Sequence, residues 1–213
     1  VNYIIGRVFN EPKTLEQVLP VTDVRAAFAK LREYQDSGNK IMRGAYMVGA
    51  HGPKNKGVRV LDYYERILLS AEKVNWTLCH TLSGVAEQLL RLEGFAEFMT
   101  NQVCTDLRHS SHWSDASDWE TFVLCGPGSR RGVDRYDSSK IVTDPKLIGS
   151  GLPEHYTRRI IEIREDIWYD VGDDVQNYFL DPNNLSNTFC EFDKYERASF
   201  GSGRQLSLRK YTN

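Results

Sequence analysis

"LLRLEGFAEFMTNQVCTDL", residues 89–107, is the stretch that decides how this chain folds. Leu89 and Leu92 close an apolar face that begins at Leu78 and runs through Leu82 and Val85, the spacing of an amphipathic helix over about 77–92. Gly94 interrupts the pattern, and Phe98, Val103 and Leu107 restore it at once. A residue without a Cβ lets the backbone turn sharply between two helices. The spacing therefore predicts a helical hairpin over 89–107 with a tight turn at "LEGF". A helix that opens directly from such a turn carries unpaired N–H groups and partial positive charge at its start, which suits an anion. Gly94 and Phe95 stand at that end. The same pattern also arises where two helices simply pack on one another.

The flanking sequence is helical as well. "VTDVRAAFAKLREYQDSG", residues 21–38, places Val24, Phe28 and Leu31 on one face, with Thr22 or Asp23 as cap and Gly38 as stop. Helical spacing recurs over about 60–74. "PEHYTRRIIEIREDIWYDV", residues 153–171, opens with a proline suited to a first turn. "DPNNLSNTFCEFDKYERASF", residues 181–200, predicts a C-terminal helix over about 184–198, capped near Asn183–Ser186. "AHGPKNKGV" at 50–58, "RHSSHWSDASD" at 108–118 and the residues from 137 to 152 are loop-like in composition, and "WETFVLC" at 119–125 is a short apolar helix or extended piece. Strand signals are weak throughout, so the fold class is all-α, with 1–213 read as a single helical domain. The chain opens on "VNYIIGRVFN" without a methionine, which predicts residues upstream of Val1.

The 213 residues are 40% hydrophobic and carry a formal charge of −2, so no global basic field marks a nucleic-acid partner, and any such contact needs a local patch. The best one is C-terminal: Lys194, Arg197, Arg204, Arg209 and Lys210, opposed over 194–213 only by Glu196. Cys79, Cys104, Cys125 and Cys190 are far apart with no C-x-x-C pair, the usage of reduced, buried thiols in the cytoplasm. No apolar run reaches membrane-spanning length. His109 and His112 have no third ligand at a familiar distance, so no metal site is assigned.

"CGPGSRRGVDRY", residues 125–136, is the second informative segment. Glycines that expose backbone N–H groups, a serine hydroxyl and two arginines suit an anion-binding loop: Gly126, Gly128, Ser129, Arg130 and Arg131. The alternative is a solvated turn with a charged tip.

"GRVFN" at 6–10, "GFAEFMTNQVCTDL" at 94–107, "GPGSRRG" at 126–132 and "NTFCEFDKYER" at 187–197 occur in that order. Together they resemble the alpha-glutamyl/putrescinyl thymine pyrophosphorylase family. That family includes the bacteriophage amino acid:DNA transferases and the helical domain attached to 5-hydroxymethyluracil DNA kinases. The hairpin by itself resembles the helix–hairpin–helix of DNA glycosylases, with Ala96 where the usual turn has its second glycine. Asp115, Asp118 and Asp134 fall outside the slot of the glycosylase aspartate, so N-glycosidic chemistry is expected to be replaced.

The resemblance implies a transferase for thymine hypermodification. A (pyro)phosphorylated 5-hydroxymethyluracil in DNA is flipped out of the stack, and an amine displaces the phosphate group. Its partners would be DNA containing modified uracil and a free amino acid or polyamine, in the cytoplasm of the host cell if phage-encoded, with no membrane and an unread oligomeric state. No cofactor is required, and a metal ion at the hairpin or phosphate site is left open. Arg130, Arg131 and Ser129 would stabilise the leaving group, and Asp106 and Glu191 would serve the amine. Asp193 is a second candidate base. Gly126, Gly128, Gln102, Lys194 and Tyr195 would bind substrate. Gly94, Phe95, Arg197, Arg204, Arg209 and Lys210 would contact DNA. Glu191 and Lys194, three apart on a helix, also make sense as a plain surface ion pair. The alternatives are the DNA-binding helical domain of a 5-hydroxymethyluracil DNA kinase, since no G-x-x-x-x-G-K-[ST] occurs, and a base glycosylase.

Overall fold

The computed structural model describes residues 1–42, 59–137, 149–178 and 180–199. Arg204, Arg209 and Lys210, the loop-like 50–58 and residues 138–148 of the loop-like 137–152 therefore lie outside the described residues. The described chain is all-helical. Where the sequence reads as one domain, the contacts resolve two compact units, Val1–Ala116 and Ser117–Asn213.

The first unit contains α1 (Asn2–Phe9), α2 (Pro12–Val18), α3 (Val24–Asp36), α4 (Val60–Glu72), α5 (Leu82–Leu90) and α6 (Glu97–Leu107). Asp23 caps α3 by accepting from Ala26 N, and Gly38 follows its end at φ 86°, as the sequence predicts. Phe9, Phe28 and Leu31 are fully buried, and Phe9 meets Phe28 and Tyr64 at ring-centroid distances of 5.9 and 6.2 Å. The helix expected over 77–92 is shorter than its periodicity. Trp76–Leu78 forms a single 3-10 turn, Thr81 caps α5 through Gly84 N, and Leu78 is 72% exposed instead of lying on the apolar face. Capping chemistry at Thr81 outweighed the leucine spacing.

The hairpin itself forms as expected. Leu92 and Phe95 are buried between α5 and α6, and Gly94 takes φ 81°. A Cβ there would also stand 2.5 Å from the Tyr63 hydroxyl oxygen, so this glycine is required by both conformation and space.

The second unit contains α7 (Pro127–Asp137), α8 (Pro153–Ile167), α9 (Asp173–Tyr178) and α10 (Pro182–Ser199). Its core joins Val123, Val133, Tyr156, Ile160, Ile163, Leu185 and Phe189. "WETFVLC" is neither helix nor strand after its opening turn. The segment is pinned by side chains from two helices: Thr157 donates to Val123 O at 3.1 Å, Asn183 to Phe122 O at 3.2 Å and Ser186 to Leu124 O at 3.4 Å. The C-terminal helix begins earlier than expected, with Asp181 accepting from Asn184 N and Pro182 opening the first turn. That places Asn183 inside the helix and fully buried.

The expected anion-binding loop is a helix. Pro127 opens α7 and Arg130 N donates to Gly126 O at 3.0 Å, the first intrahelical bond. Its glycines are spacers for α10. A Cβ on Gly132 would overlap the Phe189 carbonyl oxygen and stand 2.6 Å from its carbonyl carbon, and one on Gly128 would stand 2.5 Å from Cys190 Sγ. Among the described residues, no helix is long and apolar enough to cross a membrane.

These contacts make unequal predictions. Gly132→Ala meets backbone that cannot rotate away, and is expected to lower unfolding free energy by at least about 2 kcal/mol in urea. Gly128→Ala meets a thiol that can change rotamer and should cost less. Equal midpoints for wild type and Gly132→Ala would contradict the close crossing. In the hairpin, Gly94→Ala should destabilise, and Tyr63→Phe should restore only part of the loss, because strain of about 1–2 kcal/mol at positive φ remains.

Candidate functional site

The close crossing of α7 and α10 buries a carboxylate. Asp193, on α10, is fully buried, and three arginines converge on it. Arg131 Nε and Nη2 both lie 3.0 Å from Oδ2, and Arg135 Nε donates to Oδ1 at 3.0 Å. Arg197 Nε lies 3.2 Å from Oδ2 but is misaligned for a hydrogen bond. Helical spacing explains the convergence: Arg131 and Arg135 are one turn apart on α7, as are Asp193 and Arg197 on α10. Their side chains remain 32%, 16% and 24% exposed for Arg131, Arg135 and Arg197.

The other residues around the crossing are tied into the fold. Ser129, expected to face an anion, is buried and shares a 3.0 Å hydrogen bond with the Ser186 hydroxyl. Gly126 is buried, and Arg130 Nε donates to the Cys125 carbonyl at 2.7 Å. Arg130 and Arg131 therefore stand on a helix and not on an anion-binding loop. Asp134 accepts from the Tyr156 hydroxyl at 3.0 Å and from Gly149 N at 2.5 Å, while Tyr156 also accepts from Gly151 N at 3.0 Å. This clamp lays Gly149, at φ 78°, against the Arg131 stem, where a Cβ would stand 2.9 Å from Cγ. Glu191 and Lys194 form their i,i+3 pair at 2.5 Å, and Tyr195 is exposed. Asp193, a candidate base on sequence grounds, is instead the anchor of the arginines.

The first unit holds the remaining candidates. Arg7 grips Asp106 with a two-pronged pair at 2.5 Å for each contact, joining α1 to α6, so Asp106 is not an unengaged acid. Gln102 is buried. Phe95 belongs to the hairpin core, with 8% of its surface exposed. Gly94 is exposed, but the side that lacks a Cβ faces Tyr63.

Sequence reading missed Arg135 and misassigned Asp193. Pro127 at a helix start was the available signal: once α7 is helical, residues 131 and 135 share a face. Among the described residues, no group of three or more His, Cys, Asp or Glu side chains is arranged to hold a metal ion. The four cysteines are free thiols, and Cys190 is only partly covered. Burial pushes the Cys125 thiol up to about 11, against the opposing effects of Ser129, Thr157, Arg130 and Ser186.

Two predictions follow from this geometry. Asp193→Asn leaves three guanidinium groups around a neutral amide and is expected to cost about 3–5 kcal/mol, whereas Arg131→Gln leaves the carboxylate two partners and should cost less. Urea unfolding of both variants measures the difference, and equal stability would remove Asp193 as anchor. For Cys125, the folded pKa lies above the unfolded one. Its contribution to stability is complete below about 8.5 and is lost as pH rises toward about 11. Cys125→Ser should flatten that alkaline decline.

Neither the curated proteins nor the solved structures yield a match. A family match covers residues 3–205, under the description "5-hmdU DNA kinase, helical domain", and so includes both units and all four sequence motifs. With nearly its full length matched, the chain belongs to the family of 5-hmdU DNA kinase helical domains.

Proposed function

We propose that this chain handles DNA bearing 5-hydroxymethyluracil during its enzymatic modification, as the helical part of a kinase system. The family match over residues 3–205 carries this reading. The sequence adds that no G-x-x-x-x-G-K-[ST] lies within the 213 residues, which argues against assigning nucleotide phosphate binding to them by that motif. The division of labour is then physical. A modified base inside a duplex must leave the stack before chemistry reaches its methylene group, and a helical domain supplies the grip on the flanking phosphates.

A second reading, the amine transferase, draws on one observation: two of the four family motifs, "GPGSRRG" and "NTFCEFDKYER", face each other across α7 and α10 with arginines at the seam. In that reaction an amino acid or polyamine attacks the methylene carbon with its nitrogen lone pair. The C–O bond breaks, pyrophosphate leaves with the bonding electrons, and the amine loses a proton to a base, for which Glu191 on α10 is the candidate.

Binding to duplexes containing either thymine or 5-hydroxymethyluracil tests the main reading. Affinity should fall steeply from about 50 to about 200 mM salt, as expected for phosphate contacts. Failure to bind either duplex at low salt would overturn it. Incubation with DNA bearing pyrophosphomethyluracil and glutamate, glycine or putrescine tests the second. An amine adduct in the digested nucleosides supports the transferase, an abasic site points to a glycosylase, and unchanged nucleosides on bound DNA leave DNA handling alone.

A further inference from the structure

We infer that Arg131, Arg135 and Arg197, held on Asp193, form a binding site for a phosphate-class anion. The argument begins with charge. One guanidinium neutralises a buried carboxylate, yet three are gathered here, so among the described residues the Asp193 group holds two positive charges in excess of its carboxylate. Glu191 is paired with Lys194, and the charge of Asp134, which its neutral donors Tyr156 and Gly149 do not cancel, stands with that of Arg130 beside Tyr156. Like charges brought this close repel one another, so the arrangement is favourable when an anion completes it.

Geometry points the same way. Asp193 accepts from Nε of Arg131 and of Arg135, with Nη2 of Arg131 also 3.0 Å away, and Arg197 Nε lies 3.2 Å from it without a hydrogen bond, so the guanidinium groups meet the carboxylate by their inner edges. The terminal N–H groups are the part of the fork that matches paired phosphate oxygens. Arg197 Nε, buried and misaligned toward Asp193, is a donor whose bonding the folded chain leaves incomplete. The arginines are also rigid. Two are spaced one turn apart on α7, Gly149 backs the Arg131 stem, and the Gly132 crossing sets the distance from α7 to α10. Little side-chain entropy is then lost when an anion binds. A dianion matches the charge surplus, whereas a single carboxylate would leave one charge over. The anchor Asp193 is a positioning residue, and the three arginines are the ligands.

That phosphate has two sources: the DNA backbone, which rests on the proposed DNA-handling role, or a (pyro)phosphate group that is free or attached to a base. Thermal unfolding of the 213-residue chain with sodium pyrophosphate, against sodium chloride at equal ionic strength, tests binding itself. The midpoint should rise with pyrophosphate and saturate. Arg131→Gln and Arg135→Gln should weaken the apparent affinity at least about tenfold, the cost of a charge-assisted hydrogen bond. Arg159→Gln, whose partner is Asp137, should not. Should the glutamine variants unfold, Arg197→Lys keeps the charge but loses the fork, and the same drop is read there. Equal pyrophosphate responses in wild type and variants, together with equal salt slopes for DNA, would overturn the site.

DNA binding by the same variants separates the sources. A salt slope reduced by about one per lost arginine, with pyrophosphate displacing DNA, identifies backbone phosphate. Lost pyrophosphate binding with an unchanged slope identifies the free or base-linked group. If no variant or wild-type chain binds DNA while the pyrophosphate effect remains specific to these arginines, the DNA-handling role fails and the anion site stands.

Discussion

The second unit depends on how closely α7 approaches α10 at Gly132. No side chain fits between that Cα and the Phe189 carbonyl, and the short distance has consequences on both sides of the contact. Toward the core it lets Ser129 and Ser186 satisfy each other and sets Val133 against Phe189's cluster. Toward the surface it draws Asp193 out of water and within reach of the α7 arginines. An isolated carboxylate would not tolerate that burial, so the arginines are as much a requirement of the crossing as a product of it.

The four sequence motifs gain a common explanation from this organisation. They pair off, two in each unit. "GRVFN" meets "GFAEFMTNQVCTDL" through Arg7 and Asp106, and "GPGSRRG" meets "NTFCEFDKYER" through the glycine crossing and Arg131 with Asp193. In each case an arginine from one segment takes a carboxylate from a helix distant in sequence. The pairs differ in their charge balance. Arg7 and Asp106 are one to one and self-sufficient, while the Asp193 group carries more guanidinium than carboxylate. That imbalance is what separates a brace from a candidate binding site.

Much of the fold was legible because it rests on local chemistry. Asp23, Gly38 and Pro153 mark helix ends where side-chain caps, positive φ and a fixed proline φ require them, and Gly94 marks the hairpin. The glycine-rich segment was misread for an equally local reason. Glycine in a helix costs about 1 kcal/mol relative to alanine, so a run with several glycines favours a loop until something outside the run repays the cost. Here the repayment is close packing on α10, which no window around residues 125–136 contains.

The amino-acid sequence by itself determined the all-helical class, the hairpin and the family motifs, since periodicity, capping and residue order are properties of neighbours along the chain. Only the tertiary structure decided that "GPGSRRG" is helical, that Asp193 is an anchor instead of a base, and that Arg135 joins Arg131 and Arg197. Those outcomes depend on which backbone lies against Gly132 and which charges share a buried space, and both are set by contacts some sixty residues apart.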